Sequence, residues 1–116
     1  MRRVVITGLG ALTPIGETID SFWDGLKNGK SGAGPITKFD TENFKAKFAC
    51  ELKDYNPLDH FDRKELRKYD PFSQYALVST DQAVKDAELN FDEVDKTRAG
   101  VIWGSGNGGI QTFQDQ

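Results

Sequence analysis

Twice in this chain a β-branched apolar run leads directly into glycines and then into a helical pattern. Val4-Val5-Ile6 is continuously apolar, as in a strand covered on both faces. It runs into Thr7-Gly8-Leu9-Gly10, where two glycines allow a tight turn or a close approach of backbones. From Thr18 to Asn28 the apolar residues Ile19, Phe22, Trp23 and Leu26 fall at helical spacing. Ala99-Gly100-Val101-Ile102-Trp103 repeats the strand, Gly104 to Gly109 the glycine loop, and Ile110 to Gln116 the first turns of a helix. Strand, glycine turn and helix in that order make a βα unit, the building block of α/β folds. The expected class is α/β, with the second unit incomplete.

The stretch between the two units carries its own signals. Thr18 caps a helix that Gly29 ends, and Gly25 inside it costs about 1 kcal/mol against alanine. Residues 29–38 are rich in glycine and proline and read as loop. Phe44, Phe48, Cys50 and Leu52 alternate as in a short strand. Asp62 and Glu65 have capping-box spacing and open a short helix from Arg63 to Tyr69. Asp70-Pro71 ends it and starts another, with Asp70 as N-cap and Pro71 at the first helical position. That helix is expected to reach Ala87 or Glu88 and to bury Phe72, Tyr75, Ala76, Ala83, Val84 and Ala87. A polar connector, Asn90 to Thr97, leads to the second unit.

Composition narrows the function classes. At 116 residues the chain is one domain, and a domain of this size buries roughly 60–70% of its unfolded surface. Charged residues make up 28%, the formal net charge is −3 and the pI is near 5.1. That argues against a general nucleic-acid binder, though not against a local basic patch. One cysteine excludes an internal disulfide framework, and one histidine argues against the common zinc sites. No run approaches the ~18–20 apolar residues of a membrane span. Met1-Arg2-Arg3 ahead of Val4 to Leu12 has the outline of a signal peptide, but Thr7, Gly8 and Gly10 interrupt the run and no small-x-small site follows. A soluble, cytoplasmic protein is expected.

Few groups stand out chemically. Gly104-Ser105-Gly106-Asn107-Gly108-Gly109 matches G-x-G-x-x-G between a strand and a helix, the pattern that admits a pyrophosphate to a helix N-terminus. A nucleotide-binding module is therefore one reading; a glycine turn packing strand against helix is the simpler one. Trp103 before Gly104-Ser105-Gly106 breaks the nucleophile-elbow pattern. Cys50 reads as a small core residue and His60 as a surface residue at a helix start. Arg63 with Arg67, and Lys64 with Lys68, stand four residues apart, so four cations share one helical face while Leu66 and Tyr69 point elsewhere. That face is either an ordinary solvated surface or a docking site for an acidic partner.

Taken in order, MRRVVITGLGALTPIG, the segment from Ser31 to Asp40, KFACELKDYNP, DRKELRKYDPFSQYAL and GVIWGSGNGGI form a known pattern. It resembles the N-terminal part of the β-ketoacyl-[acyl-carrier-protein] synthases of type II across essentially the whole chain. The resemblance implies a thiolase-like fold of layered sheets and helices, a homodimer and fatty-acid elongation. In that reaction an acyl group passes from acyl carrier protein to a cysteine. Malonyl-carrier protein then decarboxylates and its carbanion attacks the thioester. No cofactor is implied, so the glycine loop is not a nicotinamide site by this reading. The family's nucleophilic Cys, two catalytic His and Lys match no residue here, so no catalytic or metal-binding residue is assigned. Residues 1–116 are expected to form roughly the first quarter to third of a synthase, inactive alone and with strand faces left bare. Lys64, Arg67 and Lys68, with Arg63 beside them, match the family's carrier-protein-binding cations. Asn107 matches a position that lines the acyl pocket and is commonly a bulky apolar gate; an asparagine there also suits a left-handed turn among glycines. A carrier-docking module without catalysis is the alternative.

Overall fold

Thr18 begins the first helix by satisfying two backbone amides at once. Its hydroxyl accepts from the Ser21 amide at 3.2 Å, and the Ser21 hydroxyl accepts from the Thr18 amide at 3.1 Å. Helix α1 then runs Ile19–Lys27 in a computed structural model that describes residues 3–115, the side chains of Gln111 and Asp115 excepted. Gly29, at φ 62°, ends it, as expected. Gly25 is buried because the helix lies on Ile15: a methyl group there would stand 3.0 Å from the Ile15 carbonyl oxygen. Packing explains a glycine that helix propensity disfavours.

Two compact units make up the chain, and α1 belongs to the one spanning Ala11–Tyr55. Its sheet has two antiparallel strands, β1 Ala33–Pro35 and β2 Phe48–Cys50, in the register Ala33↔Cys50, Gly34↔Ala49, Pro35↔Phe48. The expected strand around Phe48 and Cys50 is present. The expected loop over residues 29–38 is not all loop, since it supplies β1. Glycine and proline hide that strand from a propensity argument, yet a two-stranded sheet has only edge strands, where proline is tolerated. Beyond the pair, the Glu51 carboxylate accepts from the Thr37 amide at 3.2 Å and from its hydroxyl at 2.7 Å.

The other unit contains the remaining described residues, up to Gly10 and from Asn56. Short 3-10 turns at Pro57–Asp59 and Lys96–Arg98 flank helices α2, Arg63–Leu66, and α3, Pro71–Asp86; α4 follows at Ile110–Asp115. Asp62 Oδ1 accepts from the amides of Lys64 and Glu65 at 2.7 and 2.8 Å, and the Glu65 carboxylate returns the bond to the Asp62 amide. The capping box is as expected, but α2 stops at Leu66, short of Tyr69. The reason lies downstream. Asp70, preceding Pro71, is held extended at φ −60°, ψ 154°, so the chain must leave the helix before it. Helix α3 ends within a residue of expectation, and Glu88 turns left-handed at φ 49°.

Burial corrects the expected core. Val78 and Gln74, 5% and 7% exposed, are buried, whereas Phe72, Tyr75, Ala76, Ala83, Val84 and Ala87 are half-buried. Gln74 is buried at no hydrogen-bonding cost, because its amide donates to the Tyr69 carbonyl at 2.8 Å. The two glycines of the first segment press against α3: a methyl on Gly8 would lie 2.2 Å from the Ala83 carbonyl oxygen, and one on Gly10 would lie 1.9 Å from that of Ser79. Between them the Leu9 amide donates to Asp86 Oδ2 at 2.8 Å. Neither expected strand, Val4–Ile6 or Ala99–Trp103, belongs to a ladder among the described residues. Val4 is 94% exposed and Ile102 fully so. Strand composition becomes a strand only where a neighbouring segment pairs with it, and neither run is paired among the described residues. No helix among the described residues is long and apolar enough to cross a membrane.

Candidate functional site

Two features of the unit that contains α2, α3 and α4 carry the functional reading: the cationic turn α2 and the glycine loop ahead of α4. Arg63, Lys64, Arg67 and Lys68 are all exposed, and no ion pair holds any of them among the described residues. They do not lie on a continuous helix, as the four-residue spacing suggested. Arg63 and Lys64 occupy the one turn of α2, Arg67 is its C-cap and Lys68 follows, its amide bonded to the Glu65 carbonyl at 2.8 Å. The turn is anchored from beneath by half-buried Leu66 and Tyr69, the latter edge-on to Phe61 with ring centroids 5.9 Å apart. Asp62 and Glu65, the carboxylates of the same turn, are engaged in the capping box at the helix N-terminus, where negative charge is favourable. The cations are thus left free to meet an acidic surface.

In the loop, Gly104 and Gly106 have open space where a side chain would be. Gly108 and Gly109 do not. A methyl on Gly108 would meet the Phe72 ring at 2.9 Å, and one on Gly109 would stand 3.3 Å from Asp70 Oδ2. The Thr112 hydroxyl donates to the other oxygen of the same carboxylate. The Asp70 carboxylate therefore lies beside the first turn of α4, where a pyrophosphate would have to approach, and it repels one. Without a strand ladder before the loop, the nucleotide-binding reading loses its structural context.

Asn107 is exposed in the bend at residues 106–107 and lines none of the described cavities. The left-handed turn that an asparagine suits is not made by Asn107; in this loop Gly109 takes that conformation, at φ 75°. A cleft of about 760 Å³ lies between the first segment, α3 and residues 96–103, with Ala83, Val84, Ala87, Leu89, Val101 and Trp103 among its lining. Cys50, expected in the core, is exposed on β2. His60 is exposed, as expected, and no group of three or more metal-ligating side chains occurs among the described residues. Sequence reasoning missed the Asp70–Thr112 and Leu9–Asp86 bonds. Asp-Pro marks a helix start, but nothing in it says where the carboxylate points.

The family description "Beta-ketoacyl synthase, N-terminal domain" matches residues 1–116. A 3-oxoacyl-[acyl-carrier-protein] synthase 2 of Synechocystis is 43% identical over 115 residues, covering 99% of this chain and 28% of that protein. The protein of the same name from Staphylococcus aureus strain COL is 48% identical over 113 residues, covering 97% and 27%. The chain thus spans little more than a quarter of the length of these relatives. Among solved structures, the ishigamide ketosynthase/chain length factor superposes with a TM-score of 0.72 at 41% identity, over 80% of this chain and 23% of that one. A type II polyketide ketosynthase solved with its acyl-carrier protein superposes at 0.59 and 23% identity, over 78% and 23%, a likeness of fold alone. These matches also place the fold in the α/β, thiolase-like class. With the family pattern running through every element from the first glycine turn to the last, the chain belongs to the β-ketoacyl synthases, in their N-terminal domain.

Proposed function

We propose that this chain forms the first part of a homodimeric, cytoplasmic β-ketoacyl-[acyl-carrier-protein] synthase that elongates acyl chains by decarboxylative condensation with malonyl-carrier protein. One observation carries the reading: relatives named for that activity match 97–99% of the chain at 43–48% identity. In this reaction a thiolate displaces the carrier thiol to form an acyl thioester. Loss of carbon dioxide from the malonyl group then generates the carbanion that attacks the thioester carbonyl and releases the enzyme thiolate. No residue of this chain is assigned to that chemistry. Its contribution is recognition: Arg63, Lys64, Arg67 and Lys68 meet the acidic carrier, and Asn107, exposed in its loop, meets the acyl tail where the rest of the synthase completes the pocket. Long cationic side chains with no carboxylate partner favour fast, salt-dependent association over deep binding energy.

The test is a condensation assay with acyl- and malonyl-carrier protein on the synthase carrying this chain, run beside the 116-residue chain alone. Product from the synthase and none from the chain is expected. Turnover by the chain that Cys50→Ala abolishes would overturn the assignment, and carrier binding without turnover by the synthase would favour the non-catalytic docking module. The triple reversal Lys64→Glu, Arg67→Glu, Lys68→Glu should weaken carrier binding roughly five- to a hundredfold and flatten its salt dependence. Wild-type affinity and salt slope would return α2 to an ordinary solvated surface.

A further inference from the structure

We infer that Asp70 is a positioning residue: through the Thr112 hydroxyl it ties the glycine loop and α4 to the same joint that carries the cationic turn. The inference rests on the proposed synthase function for its consequence, but its geometry stands independently. An aspartate at an N-cap ordinarily accepts from the second or third amide of its own helix. Asp70 makes no such bond. Pro71 has no amide to offer, and the amides of Ser73 and Gln74 are taken by the Asp70 main-chain carbonyl at 2.9 and 3.0 Å. The carboxylate caps no amide of α3 and accepts from Thr112 on α4 instead.

The joint is fixed on both sides. Before it, the buried Gln74 amide holds the Tyr69 carbonyl, and Tyr69 packs on Phe61 beneath α2. After it, Gly108 lies against the Phe72 ring, and Gly109 takes up its left-handed conformation beside Asp70 Oδ2. Lys68, the last cation, is two residues from Asp70. A carrier protein docked on α2 therefore bears on the residues that hold the loop containing Asn107. Removing the hydroxyl should loosen the loop without disturbing the docking surface, so turnover should fall while carrier recognition is kept.

The experiment uses Thr112→Val, Thr112→Ser and Asp70→Asn in the synthase carrying this chain, with hydrogen exchange of peptides covering residues 61–70 and 104–115 and steady-state kinetics on acyl-carrier protein. For Thr112→Val the expected result is about tenfold faster exchange in 104–115 and unchanged exchange in 61–70. The kinetics should show a three- to tenfold lower kcat and a KM within twofold of wild type. Thr112→Ser should restore both readouts, and Asp70→Asn should give an intermediate effect. Thr112→Val with wild-type exchange and kcat overturns the inference, as does exchange accelerated equally in both segments, which would mark general destabilisation. Should the wild-type synthase lack condensation activity, the proposed function fails, while the exchange pattern still decides the tie.

Discussion

Replacing Gly10 by alanine places a methyl group where α3 leaves no room. The new carbon would stand 1.9 Å from the Ser79 carbonyl oxygen, 2.9 Å from the Ser79 carbonyl carbon and 3.0 Å from the Ala83 amide nitrogen. All three are main-chain atoms in the middle of a 16-residue helix, so no side chain can rotate aside. Relief requires the first segment and α3 to separate by about 1 Å or more, which breaks the neighbouring Leu9–Asp86 bond and opens the packed contact. Overpacking of this kind costs about 1–3 kcal/mol, and the lost hydrogen bond to a carboxylate adds to it. Gly104→Ala and Gly106→Ala provide the contrast. Neither meets an atom within 4 Å and neither has a positive φ, so each should be neutral or stabilising by up to ~1 kcal/mol through the unfolded state. The assay is urea unfolding of the three variants in the protein carrying this chain. Equal midpoints for Gly10→Ala and Gly106→Ala would refute the idea that the first glycine pair exists for close packing and the second does not.

Other measurements probe separate parts of the chain. The Thr37 hydroxyl and then its amide hold the Glu51 carboxyl below the ordinary value of 4.5, so the bond contributes above that pH and is lost as pH falls through the lowered folded value; Thr37→Val should move the Glu51 titration, followed by carboxyl carbon shifts, back up toward 4.5. Asp62→Ala removes half of the capping box and should cost about 0.5–2 kcal/mol, enough to melt the single turn of α2 and weaken carrier binding with every cation still in place. Asn107→Ile in the synthase should change the distribution of acyl lengths accepted, and an unchanged distribution would remove Asn107 from the pocket.

Local signals were the most legible ones. Thr18, Asp62 with Glu65, and Pro71 each declare a helix start by chemistry confined to four residues, and each start lies where it was expected. The errors arise where a distant partner decides the outcome. Val4–Ile6 and Ala99–Trp103 have strand composition but no ladder, because a strand is a property of a pair. Gly34 and Pro35 have loop composition yet pair with Ala49 and Phe48, for the same reason reversed. The cations of α2 were visible as a cluster, and only their regular helical spacing failed, since Pro71 governs how far α2 runs. Asp70 shows the limit most sharply: its partner Thr112 is 42 residues away, on an element that spacing alone cannot place.

The contact between Leu9 and Asp86 spans 77 residues, and it sets an order of events during synthesis. At roughly 5–20 residues per second, Gly8 and Gly10 wait about 4–15 s after leaving the ribosome before the helix they rest on exists. Ala11–Tyr55 lies wholly inside that interval and draws its sheet and capped helix from contacts within itself, so it is complete first. During the wait, Val4-Val5-Ile6 is a bare apolar strand former in the nascent chain. A holding chaperone that recognises extended apolar segments would find its target there, and the appearance of α3 would release it.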